Sequence, residues 1–198
     1  MLFRSEDTVR LWDVESGKER AVFASPSGWS GALAFRKDGP VLATKWPFDP
    51  EIKVWSWSDH KTEPIESPSV TAIPGSKSGI VCMAFSPDTD LLALGHMDGG
   101  LMVWDLSSGR LRHHFHMGSD AITAVAFSPG GKILGGGSLG GRASLWELSS
   151  KRQLTPLMQH KETITAMAFS PDGRFIATGS RDKVLMLWEI GRTANRLD

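Results

Sequence analysis

A short apolar stretch closed by tryptophan recurs five times in this chain, and that recurrence constrains its fold more than any other feature. The stretches are VRLWDV (9–14), IKVWSW (52–57), LMVWDL (101–106), ASLWEL (143–148) and LMLWEI (185–190). Their tryptophans, Trp12, Trp55, Trp104, Trp146 and Trp188, are spaced by 43, 49, 42 and 42 residues. A second marker, Ala-Phe, falls at Ala34-Phe35, Ala84-Phe85, Ala126-Phe127 and Ala168-Phe169, with spacings of 50, 42 and 42. Two markers with one period define a repeated supersecondary unit. A unit of this size cannot bury its apolar face alone and must stack on its neighbours.

Each unit reads as short strands. In the last one, 163–169 predicts a first strand and Ser170-Pro171-Asp172-Gly173 a turn, with proline presetting φ and glycine relieving the backbone. A second strand follows at 174–178, a turn at 180–183 and a third strand at 184–189, while an earlier unit adds a fourth at 110–117. The third strands are apolar at nearly every position, as in Val184, Leu185, Met186, Leu187 and Trp188. A strand with one wet face would alternate, so these should be covered on both faces by stacked sheets. No amphipathic helical period is present, since the apolar runs are short and bounded by Gly, Pro, Asp and Ser.

The bulk composition agrees. The 198 residues are 40% apolar and 22% charged, ordinary for a globular chain with a sizeable core. Its 22 basic and 22 acidic side chains cancel, which argues against a broad electrostatic grip on nucleic acid or an anionic membrane. Cys82 is the one cysteine, so no internal disulfide forms and a reducing compartment is expected. The opening MLFRSEDTVRLWD lacks a signal-peptide pattern, and no apolar run is long enough for a helical span. The expected location is cytoplasmic.

The set Ala-Phe-Ser-Pro-Asp-Gly, then Gly-Ser-x-Asp, then Leu-Trp-Asp or Leu-Trp-Glu resembles the WD-repeat family over nearly the whole chain. The resemblance implies an all-β fold, a β-propeller of four-stranded antiparallel blades. The units would be a partial blade at 1–25, blades at 26–74, 75–117 and 118–159, and a blade at 160–198 lacking most of its outer strand. The first unit would lack its innermost strand and the last most of its outermost, yet the two overlap in strands two and three and cannot merge into one blade, and such propellers close with about seven blades, generally 4–8. The expectation is therefore an incomplete arc of about five blades, the C-terminal portion of a larger protein, with open ends prone to self-association.

In that family a His, a Ser or Thr, an Asp and the Trp often share a buried hydrogen-bond network. The resemblance places it on His160, Thr178, Asp182 and Trp188. The unit of Trp104 keeps Asp98 but has Ser76 and Leu94 at the other places, and the unit of Trp146 has Gly118, Gly136 and Gly140. The unit of Trp55 has Thr44 and Asp49, with Pro26 for the histidine. These three blades should rely on packing alone. Asp182, His160 and Thr178 also have the composition of a catalytic triad. A hydroxyl in mid-strand inside a stacked blade would be out of reach of substrate, so that assignment is rejected and no catalytic residue is expected.

Other candidates are weaker. His114 and His116 would share one face of an outer strand, but no nearby cysteine or carboxylate completes a metal site. Gly135-Gly136-Gly137 and Gly140-Gly141 lack the Lys-Ser or Lys-Thr and the helix of a phosphate-binding loop, so crowding of the backbone explains them better. Cys82 should be a buried, inert thiol. No cofactor or metal is expected. Trp46 and Phe48 lie on a loop stiffened by two prolines and Trp29 on the loop entering the same unit, and two readings stand: aromatic anchors for a partner, or Trp29 and Trp46 as plugs for a blade without its histidine. Together with His96, Arg142 and Arg181 they form the candidate partner-binding set, because these loop positions vary between units while the strand positions repeat. The function expected is a non-catalytic protein-interaction scaffold whose partners are other proteins or peptides. The alternative is the regulatory or targeting propeller of a signalling enzyme, a kinase or nucleotide hydrolase, with its catalytic part upstream.

Overall fold

Every regular element is a β-strand among the residues that the computed structural model describes, namely 8–24, 32–37, 41–45, 52–56, 78–154 and 159–190. The strands belong to two units, 1–77 and 78–198. In the first unit, β1 (Thr8–Trp12) pairs with β2 (Glu19–Ala24), and β3 (Ala32–Phe35), β4 (Val41–Lys45) and β5 (Ile52–Ser56) form a sheet in that order. The second unit holds three sheets. One is β6 (Ile80–Phe85), β7 (Leu91–His96), β8 (Gly100–Asp105) and β9 (Arg110–His116). The next is β10 (Ile122–Phe127), β11 (Ile133–Ser138) and β12 (Ala143–Glu147), followed by β13 (Ile164–Phe169), β14 (Phe175–Ser180) and β15 (Leu185–Glu189). Consecutive strands pair antiparallel within every sheet, the meander of a propeller blade.

Among the described residues the β6–β9 sheet has four strands and the other sheets two or three. In the following sheet, a single bridge from Trp146 to Gln153 stands where the outer strand would run.

Strand alternation gives each sheet two different faces. On β6–β8 the register sets Cys82, Ala84, Ala93, Gly95, Leu101 and Val103 on one face, here called the aliphatic face. Ala93, Leu101 and Val103 pack with Ile122, Leu134 and Trp146 of the next sheet, on what is here called its tryptophan face. The pattern repeats one sheet on, where Ala124 and Ala143 pack with Ile164 and Met167. It holds in the first unit too, where Val9, Leu11 and Ala21 pack against Leu42 and Trp55. Aliphatic face on tryptophan face is thus the rule of stacking. Each leucine so buried contributes roughly 1.5–3 kcal/mol.

The glycines of the second strands follow from this stacking. A Cβ on Gly95 would come within 2.7 Å of Ile122 Cγ2, and one on Gly137 within 2.6 Å of Ile164 Cγ2. Gly136 is hemmed in by Met117 Sδ at 2.9 Å and Leu101 Cδ2 at 3.2 Å. The glycine run of β11 is therefore a consequence of close packing.

In the three sheets of the second unit, the turn between second and third strands uses one left-handed residue each. It is Gly99 at φ 84°, Gly141 at φ 81° and Lys183 at φ 67°. A side chain in that region costs about 1–2 kcal/mol, of which the greater chain entropy of glycine offsets a part. Lys183→Gly should therefore raise stability by about 0.5–1 kcal/mol, seen as an upward shift of the melting temperature. A fall would show that the lysine side chain contributes more than its backbone costs.

Candidate functional site

The last blade contains a continuous buried chain of hydrogen bonds. Trp188 Nε1 donates to Thr178 Oγ1 at 3.1 Å, and that oxygen lies 2.8 Å from His160 Nε2. His160 Nδ1 lies 3.0 Å from Asp182 Oδ2. With a neutral imidazole, one proton arrangement satisfies every group. Indole can only donate, so the Thr178 oxygen accepts from it and passes its own hydrogen to Nε2. Nδ1 then carries the ring proton and donates to the carboxylate, which can only accept. Asp182 also accepts from the backbone N–H of Lys161 at 2.9 Å and of Val184 at 3.0 Å. Burial works against its charge, but those backbone donors, the His160 ring and the Ser180 hydroxyl outweigh it and hold the carboxyl at about 2. The chain of bonds ties the loop before β13 to the turn between β14 and β15 and to two strands.

Thr178 and His160 are buried, with 0% and 1% of their surface exposed. The hydroxyl is committed on both sides and closed to a substrate, so the Asp–His–Thr set acts in holding the blade together.

The equivalent places elsewhere show what replaces these bonds. In the blade of Trp55, the indole donates to Thr44 Oγ1 at 2.9 Å, so part of the network survives where packing alone was expected. The repeated Thr44 and Thr178, each eleven or ten residues before its tryptophan, carried that signal in the sequence. In the blade of Trp104, Leu94 is fully buried at the threonine position, and Trp104 Nε1 is buried without a hydrogen-bond partner. In the blade of Trp146, Gly136 leaves the space to Met117 and Leu101, while the Asp120 carboxylate lies where a side chain on Gly140 would stand.

That last replacement opens a cleft. His116, Gly118, Arg142, Ser144, Gln153 and Gln159 are among the residues lining a concavity of about 430 Å³. The Arg142 guanidinium lies over Gly118, its Nη1 3.5 Å from where a Cβ would be. Arg142 is exposed, and its guanidinium makes no ion pair among the described residues. Beside it, Gln153 Nε2 donates to Ser144 Oγ at 3.1 Å and Gln159 Nε2 to the Gly140 carbonyl at 3.2 Å.

The remaining candidates are placed as follows. Arg181 is exposed on the turn after β14. His96 is a correction to the partner-binding set, being only 1% exposed. It ends β7 at the place of Ser138 and Ser180, its Nδ1 3.3 Å from the Ser78 carbonyl oxygen, and burial lowers its pKa. Trp29, Trp46 and Phe48 lie outside the described residues, as do Ser76, Asp49 and Pro26. His114 and His116 are exposed on β9 with ring centroids 6.5 Å apart, and no group of three metal-binding side chains occurs among the described residues. Cys82 Sγ donates to the Ile122 carbonyl at 3.4 Å, and burial pushes the thiol up to about 12.

Comparison with known proteins agrees with this architecture. The model of the WD domain, G-beta repeat, matches residues 151–189, and that of the anaphase-promoting complex subunit 4 WD40 domain matches residues 53–130. The chain is a WD-repeat protein, built of β-propeller blades. It is 30% identical over 111 residues to the WD repeat-containing protein VIP3 of Arabidopsis thaliana, covering 53% of this chain and 35% of that protein. It is 30% identical over 108 residues to apoptotic protease-activating factor 1 of Rattus norvegicus, covering 54% of this chain and 8% of that protein. The chain thus spans about a third or less of these relatives. Its fold matches the computationally designed Ika4 protein with a TM-score of 0.70 at 24% identity, over 88% of this chain and 99% of the other. No helix among the described residues is long and apolar enough to cross a membrane.

Two outcomes check the network. His160→Ala should cost about 1–3 kcal/mol, the penalty for leaving Asp182 and Thr178 without their partner. A denaturant melt with an unchanged midpoint would contradict it. At Leu94, the alanine variant should lose about 2–5 kcal/mol to the cavity. Leu94→Thr should lose less than half as much, because its hydroxyl meets the Trp104 indole as Thr178 meets Trp188. Equal losses would show that the indole gains nothing.

Proposed function

We propose that this chain is a non-catalytic, cytoplasmic platform that binds protein segments, and that the cleft at Arg142 is one of its contact points. WD-repeat proteins in general hold other proteins, which supports the platform reading. The observation that carries the contact point is the Arg142 guanidinium, held over a glycine floor without an ionic partner among the described residues. A guanidinium in a polar concavity is matched by a carboxylate, which it can bind through two parallel bonds. The Gln153 and Gln159 amides line the same concavity and would bond a peptide backbone through their remaining donors and acceptors. An acidic peptide or loop is the partner this chemistry fits. Arg181 adds a second exposed cation on an equivalent turn of the next blade. Trp29, Trp46 and Phe48 are proposed as aromatic contacts of the same kind of loop. The long non-matching part of apoptotic protease-activating factor 1 favours a second reading, in which such blades serve as the regulatory or targeting portion of a larger signalling enzyme.

Binding of fluorescein-labelled acidic, neutral and basic heptapeptides, followed by polarisation, tests the contact point. The acidic set should bind best, and Arg142→Glu should weaken it at least tenfold, as expected for about 1.5–3 kcal/mol of a charge-assisted bond. Equal affinity in the wild type and the Arg142→Glu variant would remove the cleft from the contact face.

A further inference from the structure

The rule of stacking leaves one face without its neighbour. On β13–β15 the register sets Ala166, Ala168, Ala177, Gly179, Leu185 and Leu187 on the aliphatic face. The equivalents of Leu185 are Leu101 and Ala143, which are 0% and 3% exposed, whereas Leu185 is 74% exposed. The equivalents of Leu187 are Val103 and Leu145, at 0% and 2%, against 64% for Leu187. The glycines agree: Gly95 and Gly137 are pressed by an isoleucine of the next sheet, and Gly179 has nothing within 4 Å. Alanine, glycine and leucine make up the body of the face, with Glu189, paired with Phe175, as a charged member at its end.

Its sister faces show what belongs there. In both cases the cover is the tryptophan face of another blade, with Ile122, Leu134 and Trp146 over one and Ile164 and Met167 over the other. This chain carries an uncovered face of that second kind. On β1–β2, Trp12 is 53% exposed, where Trp55, Trp104 and Trp146 are each below 10%. Val22, paired with Arg10 across β1–β2, is 45% exposed beside it.

We propose that the aliphatic face of β13–β15 is an interface between copies of this chain, and that it docks the Trp12 face of a second copy, head to tail. The contact repeats the blade-to-blade packing seen inside each unit, with the Arg10–Glu19 ion pair lying beside Trp12 on the docking face. It is small. Three strands about 4.8 Å apart and about five residues long at about 3.3 Å each give a footprint on the order of 200 Å². That falls short of the roughly 800 Å² per partner typical of a stable complex, so a single contact is weak. A closed pair forms it twice, since a heterologous contact is completed only by ring closure. The proposal is independent of the Arg142 cleft.

Sedimentation of the 198-residue chain across a wide concentration range tests it. A reversible dimer is expected. The double variant Leu185→Asp/Leu187→Asp and the single variant Trp12→Glu should each sediment as monomers with unchanged circular dichroism, since all three side chains are exposed. Mixing the two variants leaves one intact contact per pair, so the mixture should associate, but far more weakly than the wild type. Leu139→Asp, at an exposed leucine on a turn, should leave the dimer intact. A monomeric wild type would overturn the proposal, including one whose own Trp12 sheet covers Leu185. So would a dimer that survives either variant, or a variant mixture that dimerises as tightly as the wild type.

Discussion

Two-sided burial governs this fold. A three- or four-stranded sheet of this size is too small to be stable alone, and its third strand is apolar on both sides. Stability comes only when the aliphatic face of one sheet meets the tryptophan face of the next. Other features follow from that contact. The second strands carry glycine because an isoleucine of the neighbour sits against them at Gly95 and Gly137. The first strands carry alanine at one repeated place because that place lies on the aliphatic face. Strand register is constrained because inserting or deleting one strand residue would exchange the two faces, while loops can take up extra residues, as in the 49-residue spacing.

The polar network is a second, separable layer. It is complete at Trp188, reduced to one indole–hydroxyl bond at Trp55, and missing its hydroxyl at Trp104, where Leu94 leaves a buried donor unpaired. The sheets form in all three cases. Apolar stacking is therefore sufficient for the blade, and the network sets how firmly the outer loop is held to it. An unsatisfied indole N–H costs about 1–3 kcal/mol. A leucine buried in place of threonine recovers a comparable amount through its own burial, which is why the substitution is tolerated.

Much of this was legible in the sequence because it depends on local period. The strands of the last unit fall within two residues of their predicted bounds, and its turns use the serine, aspartate and glycine that the sequence offers. The spacing also brought His160, Thr178, Asp182 and Trp188 to one place, as the hydrogen bonds show. What was not legible depends on three-dimensional neighbours. Treating the four network positions as a set hid the surviving pair of Thr44 and Trp55. His96 varies between repeats as a surface residue would, yet its place at the end of β7 points it under the chain at Ser78. Variation between repeats reports the absence of a shared role, and a buried position can vary as freely as an exposed one when its local neighbours vary with it. The open face at Leu185 and Leu187 was equally hidden, since its residues are those of a covered strand.

At the proposed contact cleft of Arg142, loss of the polar network leaves an opening at the blade's edge. In the last blade the space above the second strand is filled by an imidazole, a hydroxyl and a carboxylate that satisfy one another. With glycine at 118, 136 and 140 there is no such set, and apolar side chains from below, Met117 and Leu101, close only the inner part. The outer part stays open, floored by backbone and reached by a cation. The His160 network satisfies its own groups and has little left to offer a ligand. A gap lined by Arg142, Gln153 and Gln159 has donors to spare. A repeat fold can specialise in this way without altering its frame, because the stacking faces lie on the strands while the differences accumulate in the loops and turns at the blade's edge.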